Sequence, residues 1–482
     1  MGYRRLATVI AAGVLLIPAA AYAATPIPSV GLARTFIGAP STAAPLGQFA
    51  IPQNPYLAPN PYNNMHNDPY ATNTYPGPGP RGRGIQVKTA LYGVEECATQ
   101  AFDQFGQIVA LCGDVSGPVL RLINPTTLNI KASYVLPGRD LTSGANPLSD
   151  LCGGAYFYLD NSDRAVVATT DRRIMVVADT GTKYVLQHTY DLTSVVPAKD
   201  CLIALMPSWT GTIWFATKGG VVGTVNPTTG VAHAVTLTGE GIDNSFAVDA
   251  AGGVYVVSDH AMYRFDAAAD GTPTITWREV YDRGSVQKPG QLSQGSGTTP
   301  ALVGSDLVAI TDNADPQMHI NVYNRNTGAF ICQQGVFAPG ASDTENSLVA
   351  VGDGLIAENN YGYQGPQSTL LGKTTSPGVA RVNVIGNTCS LAWTSNVVAP
   401  TSVPKVSLQS GLLYVYSKPA NSLGQDAWYF TAIDVRTGQT VYSRLTGVGP
   451  QFNNHYASIY LGPNGTAYIA TLAGMVSLRD TY

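Results

Sequence analysis

From residue 83 onward, short runs of apolar, β-branched and aromatic residues alternate with turns built from Gly, Asp, Asn and Thr. Long stretches of helical periodicity are absent. The clearest runs are GQIVALC (106–112), DRAVVAT (163–169), GTIWFAT (211–217), GGVYVVS (252–258), SDLVAIT (305–311), DGLIAEN (353–359), GLLYVYS (411–417) and GTAYIAT (465–471). They recur at a period of roughly 50 residues, and most are preceded by a shorter apolar segment and followed by a third strand and a hairpin. Turns such as NPTTG (226–230), NRNTG (324–328) and VRTG (435–438) supply the positive φ that such hairpins need. Four strands per repeat at this period predict an all-β, eight-bladed β-propeller. Seven blades is the alternative, because the first two units are the most irregular.

The last unit is short. After GTAYIAT only GMVSLRD (474–480) remains, so its outer strand must come from elsewhere. GIQVKTALYG (84–93), just ahead of the first blade, is placed to supply it and close the ring. The folded unit is therefore expected over 83–482. Residues 24–82 differ: Asn-Pro, Tyr and Pro-Gly recur without hydrophobic periodicity, which predicts an extended, largely disordered Pro/Tyr/Asn-rich arm. Residues 1–23 combine a basic start, an apolar run and AYA at 21–23, the pattern of a signal peptide. Nothing later approaches the length of an integral membrane segment. A secreted or periplasmic protein is expected.

The six Cys residues, 97, 112, 152, 201, 332 and 389, all follow the leader. In an oxidising compartment an even count favours disulfides, and sequence neighbours suggest 97 with 112, 152 with 201 and 332 with 389, among the 15 pairings that six thiols allow. Charged residues make up 12% of the chain and the net charge is -4. That balance gives no support for nucleic acid or an anionic membrane as partner.

TAIDVRTGQTVYSRL (431–445) resembles the A-x-D-x-x-T-G-x-x-x-W docking pattern of quinoprotein-type, PQQ-like propellers, with Tyr442 where Trp is usual. INVYNRNTGAF and VGTVNPTTGVA are weaker versions. The resemblance implies the fold and not the reaction. A dehydrogenase of that family would be expected to have adjacent Cys residues and a Trp floor for its quinone, and adjacent Cys residues are absent here, so PQQ is not expected.

In a propeller, the loops leading into the inner strands and those joining second to third strands emerge on one face, around the channel mouth. The polar residues concentrate in those loops in blades four to eight. A hard cation such as Ca²⁺ takes carboxylate and amide oxygens, for which Asn244, Glu345, Asn346, Glu358 and Asn359 are the expected donors. Thr299, Asp312, Asn313, Asn360, Tyr361 and Asn454 are expected to contact a small polar ligand. For catalysis, Glu345 or Glu358 is the candidate base, with Lys405 or His455 to stabilise an anion. Each residue also has a plainer reading: Asn, Asp and Ser at loop starts make Asx turns with no ligand present, and Tyr361 and Tyr363 suit packing between blades as well as stacking on a sugar.

Three functions fit this pattern: a propeller that binds a small polar molecule or carbohydrate with or without a divalent cation, a metal-assisted hydrolase or lyase of the lactonase type, and a non-catalytic scaffold for a protein partner. The residues alone do not decide whether the protein is an enzyme.

Overall fold

A computed structural model describes residues 27–59, 61–139, 150–152 and 156–482. The leader expected over 1–23 lies outside the described residues. The chain forms eight sheets in sequence order around a ring, each built on four antiparallel strands. Blade one contains Glu96–Phe102, Ile108–Asp114, Gly117–Ile123 and Ile130–Val135. Each of the eight apolar runs forms the second strand of its blade, as in Ile213–Thr217 of blade three and Leu412–Ser417 of blade seven. Both of these strands are buried along their whole length. A strand packed on both faces by neighbouring blades has no reason to alternate, which explains why these segments read as continuous apolar runs. The outer strands face water and are mostly exposed, as in Thr388–Ser395 of blade six.

Blade eight closes as expected. Gln86–Leu91 pairs antiparallel with Gly474–Arg479 from Gln86↔Arg479 to Leu91↔Gly474, so the strand just ahead of blade one shares a sheet with the last strand of blade eight.

The seams between several blades follow one scheme. Trp277 of blade four packs over Gly328 in the NRNTG turn of blade five and donates its indole N–H to Arg325 O at 2.9 Å. Trp393 of blade six does the same over Gly438 in the VRTG turn of blade seven, donating to Val435 O at 3.0 Å. Both glycines have φ near +75° and leave no space for a Cβ, so side chain and backbone conformation each require Gly there. Between blades five and six a disulfide, Cys332–Cys389, joins the outer strands. Cys97–Cys112 and Cys152–Cys201 complete the pairing of sequence neighbours.

The expectation of a disordered arm is corrected for the described part of residues 24–82. Phe36–Gly38 adds an outer strand to blade seven, and Thr74–Tyr75 runs parallel to Lys405–Ser407 on that blade's inner edge. Between them the chain crosses the ring and plugs the channel. Its carbonyls accept from Phe102 N (Tyr62 O, 2.8 Å), Leu159 N (Asn63 O, 2.8 Å), Val248 N (Pro69 O, 2.9 Å), Leu302 N (Tyr70 O, 2.9 Å), Ala350 N (Thr72 O, 2.9 Å) and Val406 N (Asn73 O, 3.1 Å). Asn54 Nδ2 donates to Pro207 O at 2.8 Å, which brings in blade three. The plug thus bonds to blades one through seven. Phe102, Leu159, Pro207 and Val248 end their inner strands, so the plug enters at the face away from the predicted polar loops.

Short polar side chains hold the plug in shape where periodic packing cannot. Asp68 Oδ1 accepts from Tyr70 N at 2.9 Å, and Asn67 Nδ2 donates to Thr74 O at 2.6 Å. Asn67 and Asn73 take positive φ, which Asn tolerates better than most residues.

Candidate functional site

Above the plug, at the opposite end of the channel, lies a cavity of about 240 Å³. Its wall includes Asp243 and Asn244 ahead of the inner strand of blade four, Glu345 and Asn346 ahead of that of blade six, and His455 and Tyr456 ahead of that of blade eight. Blade one contributes Glu96, Thr99 and Leu111, Tyr156 comes from the approach to blade two, and Met65 of the plug also lines it.

Glu345 is the best-defined polar group in this wall. Its side chain is buried, with 8% of the residue exposed. One carboxylate oxygen, Oε2, accepts from Leu292 N at 2.9 Å, while Oε1 has no hydrogen-bond partner among the described residues. Burial pushes this carboxyl well above the usual carboxylate range, and the charges of Asp243 and Asp343 add to the effect. Glu96 shares the situation: its Oε1 is buried without a partner, and burial raises its carboxyl strongly. An unpartnered buried oxygen costs free energy unless something else satisfies it.

Asn360 ties the two glutamates of blade six together. Its Oδ1 accepts from Glu345 N at 2.7 Å, and its Nδ2 donates to Glu358 Oε2 at 3.0 Å and to Pro400 O at 2.9 Å. Glu358, 1% exposed, also receives the amide of Asn346. The loop leading into the inner strand and the loop after the second strand therefore do meet on one face, but Glu358 stands behind the cavity wall with its carboxylate already bonded. Asn359 serves its own loop: Oδ1 accepts from Asp343 N at 3.3 Å and Tyr361 N at 3.1 Å, and Nδ2 donates to Ala341 O and Pro377 O.

The remaining candidates separate in space. Asp312 accepts from His319 N at 2.6 Å, His319 Nδ1 at 2.9 Å and Asn321 Nδ2 at 3.3 Å, so it fastens the second strand of blade five to the third. Asn313 donates to Arg283 O and Val286 O. Asn454 accepts from the Thr401 hydroxyl and donates to Ala457 O. Thr299 is fully buried beside Tyr156. Tyr361 is half-buried in the loop that Asn359 braces. His455 borders the cavity, its Nδ1 2.9 Å from the Tyr363 hydroxyl.

Lys405 is not in a loop at the mouth. It opens the inner strand of blade seven, is fully buried, and donates to Met65 O at 2.5 Å and to Asn73 Oδ1 of the plug. Burial drives its ammonium well below the ordinary lysine range.

A segment ahead of blade five, 286–297, crosses the mouth. Besides the bond from Leu292 to Glu345, Gly290 O accepts from the Tyr456 hydroxyl at 2.9 Å, and Lys288 Nζ donates to Ala314 O at 2.6 Å. This segment joins blades five, six and eight over the channel, and Glu345 sits beneath it. Glu96, Tyr156 and the crossing segment escaped the reading of the sequence. Glu96 sits within an inner strand and Tyr156 has no polar neighbours in sequence to flag it. The Gly, Gln and Pro of 286–297 signalled a loop without saying where it went.

No protein-family profile matches the chain. An uncharacterized protein of Archaeoglobus fulgidus is 29% identical over 370 residues, covering 67% of this chain and 70% of that protein. Among solved structures, quinohemoprotein alcohol dehydrogenase from Comamonas testosteroni superposes with a TM-score of 0.58 at 11% identity, over 87% of this chain and 80% of its own. BamB from Moraxella catarrhalis gives a TM-score of 0.42 at 14% identity, over 65% of this chain and 93% of its own.

Proposed function

We propose, from the premise that the chain is an eight-bladed propeller of the PQQ-like, quinoprotein type in architecture, that it binds a small polar ligand in the cavity at the channel mouth. The observation that carries this reading is Glu345: a buried carboxylate in the cavity wall, held by Leu292 through one oxygen and left open at the other. The rest of the ring is closed by the plug, so this cavity is where the channel can accept a molecule. Cavities of this kind, apolar with a few placed polar groups, are the usual form of small-molecule sites. The three disulfides support a place in an oxidising compartment, outside the cytoplasm.

Hydrolysis of the lactonase type is the weaker reading. Its anion-stabilising lysine, Lys405, is engaged by the plug, and Glu358 is occupied by Asn346 and Asn360. Of the five oxygen donors considered for Ca²⁺, Asn244, Glu345 and Asn346 border the cavity, while Glu358 and Asn359 serve their own loops. Binding without chemistry asks less of these residues.

The test is a melting screen of the purified protein with sugars, amines, hydroxy acids and Ca²⁺, repeated on Glu345→Gln. A ligand that raises the melting temperature of the wild type and fails on the variant supports the site. A ligand that stabilises both equally places binding elsewhere and overturns it.

A further inference from the structure

The charge around the cavity is unbalanced. Among the described residues Arg139 is the one Lys or Arg in its wall, and it is paired with Asp150 at 2.5 Å. Lys218 reaches Asp243 at 3.9 Å from a half-exposed position. Among the described residues Glu96 and Glu345 have no basic partner within ion-pair distance, and each presents one buried oxygen without a hydrogen bond. The site therefore has carboxyl oxygens in excess of the donors that reach them.

The acids are also dispersed. Among the described residues, the sole set of three acid, His or Cys side chains with ligand atoms within 4.8 Å of one another is Glu95 with Cys97 and Cys112, and those two sulfurs are in a disulfide. Glu96, Asp243 and Glu345 thus do not form such a set of three. The same wall carries apolar surface, including Met65, Val403 and Leu472. Separated carboxylates joined by apolar surface match a chain molecule with N–H donors at its ends.

We infer, resting on the channel-mouth reading above, that the ligand is a short aliphatic amine, protonated at one or both ends, whose ammonium groups meet Glu345 and Glu96 while its methylenes lie on the apolar wall. Charged hydrogen bonds between ammonium and carboxylate are the strong class and satisfy the two orphaned oxygens. Burial raises both carboxyls, and an ammonium beside them favours the ionised form, so binding should shift both toward releasing a proton.

The experiment is calorimetric titration of the intact protein with putrescine, butanediol and calcium chloride, in two buffers of different ionisation enthalpy. Expected are putrescine binding at least roughly tenfold tighter than the diol, since a hydrogen bond to a charged group is lost with each nitrogen, and proton release visible as a buffer-dependent heat. Glu345→Gln and Glu96→Gln should each weaken putrescine by about tenfold, with unchanged circular dichroism. Glu96→Gln keeps the test usable if the first variant folds poorly. Diol binding as tight as diamine overturns the amine while leaving the cavity a ligand site. Calcium binding that is lost in Glu345→Gln, with no putrescine heat, overturns it in favour of a metal. Absence of heat from all three probes overturns the amine, and a melting screen equally without effect would remove the site itself.

Discussion

Lys405 and Met65, 340 residues apart in the chain, are joined by a 2.5 Å hydrogen bond from the lysine ammonium to the methionine carbonyl. The same ammonium reaches Asn73, so one side chain fastens both arms of the plug to blade seven. Lys405→Met keeps most of the volume, takes the donor from the buried Met65 carbonyl and leaves Asn73 Oδ1 with its 3.2 Å contact to His66 Nδ1. A buried acceptor left unsatisfied costs about 1–3 kcal/mol. Expected is a fall in urea unfolding free energy on that order, together with faster amide exchange in 62–75. An unchanged unfolding midpoint would show that the plug does not depend on this lysine.

Asp343 sets a pH dependence with a definite sign. It is fully buried, neither carboxylate oxygen has a partner, and burial raises it to about 8 from 3.8 against the opposing pull of Lys288. The folded state therefore keeps a proton that the unfolded chain gives up. Its contribution to stability is complete below the unfolded value of 3.8 and is lost as pH rises toward the folded value of about 8. Glu345 and Glu358 are shifted in the same direction. Between about pH 5 and pH 8 the protein should lose stability, with Asp343 contributing on the order of 1 kcal/mol per pH unit. Asp343→Asn should flatten that slope and be the more stable form at the alkaline end. Urea titrations at both pH values check this, and an identical slope in the variant would remove Asp343 from the account.

The ring was legible in the sequence because its cause is local. Strands such as GTIWFAT and GLLYVYS declare themselves by burial on both faces, and the truncated last repeat pointed to 84–93 as the closing strand. The plug was not legible, because its order comes from the ring. Tyr62, Pro69, Tyr70 and Asn73 form no pattern along the chain, and their carbonyls find partners only once the inner strands surround them. The same gap misplaced Lys405, which reads as a loop lysine until Met65 and Asn73 arrive beside it. In the candidate site, Glu345 was found from its loop position. Glu96 was missed because the ring closure that brings blade one to blade six leaves no trace in sequence spacing.

The seam between blades five and six is held by a covalent bond where other seams use tryptophan. Cys332 and Cys389 close a loop with a sequence separation of 57 on the two outer strands. Constraining a loop of that length in the unfolded chain is worth about 2–4 kcal/mol. The double variant Cys332→Ser, Cys389→Ser should unfold at lower denaturant by that amount, with its ring otherwise intact by circular dichroism. Reduction of the wild type should lose at least as much, since two further disulfides open at the same time. A double variant as stable as the parent would mean that packing of the outer strands alone carries this seam.

Gly290 lies where the crossing segment rests on blade six, and the fit there permits no side chain. Its φ is +142°, and a methyl built on it overlaps Asp343 Oδ1 and the Asn360 carbonyl. Neither neighbour has room to yield, since Asp343 and Asn360 are both fully buried. Gly290→Ala must therefore lift the segment and with it the bonds from Leu292 N to Glu345 and from the Tyr456 hydroxyl to Gly290 O. Overpacking of this kind costs about 1–3 kcal/mol. Because the segment is held by hydrogen bonds to neighbouring loops and pairs with no inner strand, the loss should be local: amide exchange in 286–297 rises while the inner strands keep their protection. A ligand held under the segment should then leave faster, with its association rate little changed. Exchange in 286–297 equal to that of the parent would show that the segment moves aside without cost, and that its contact with Glu345 does not close the cavity.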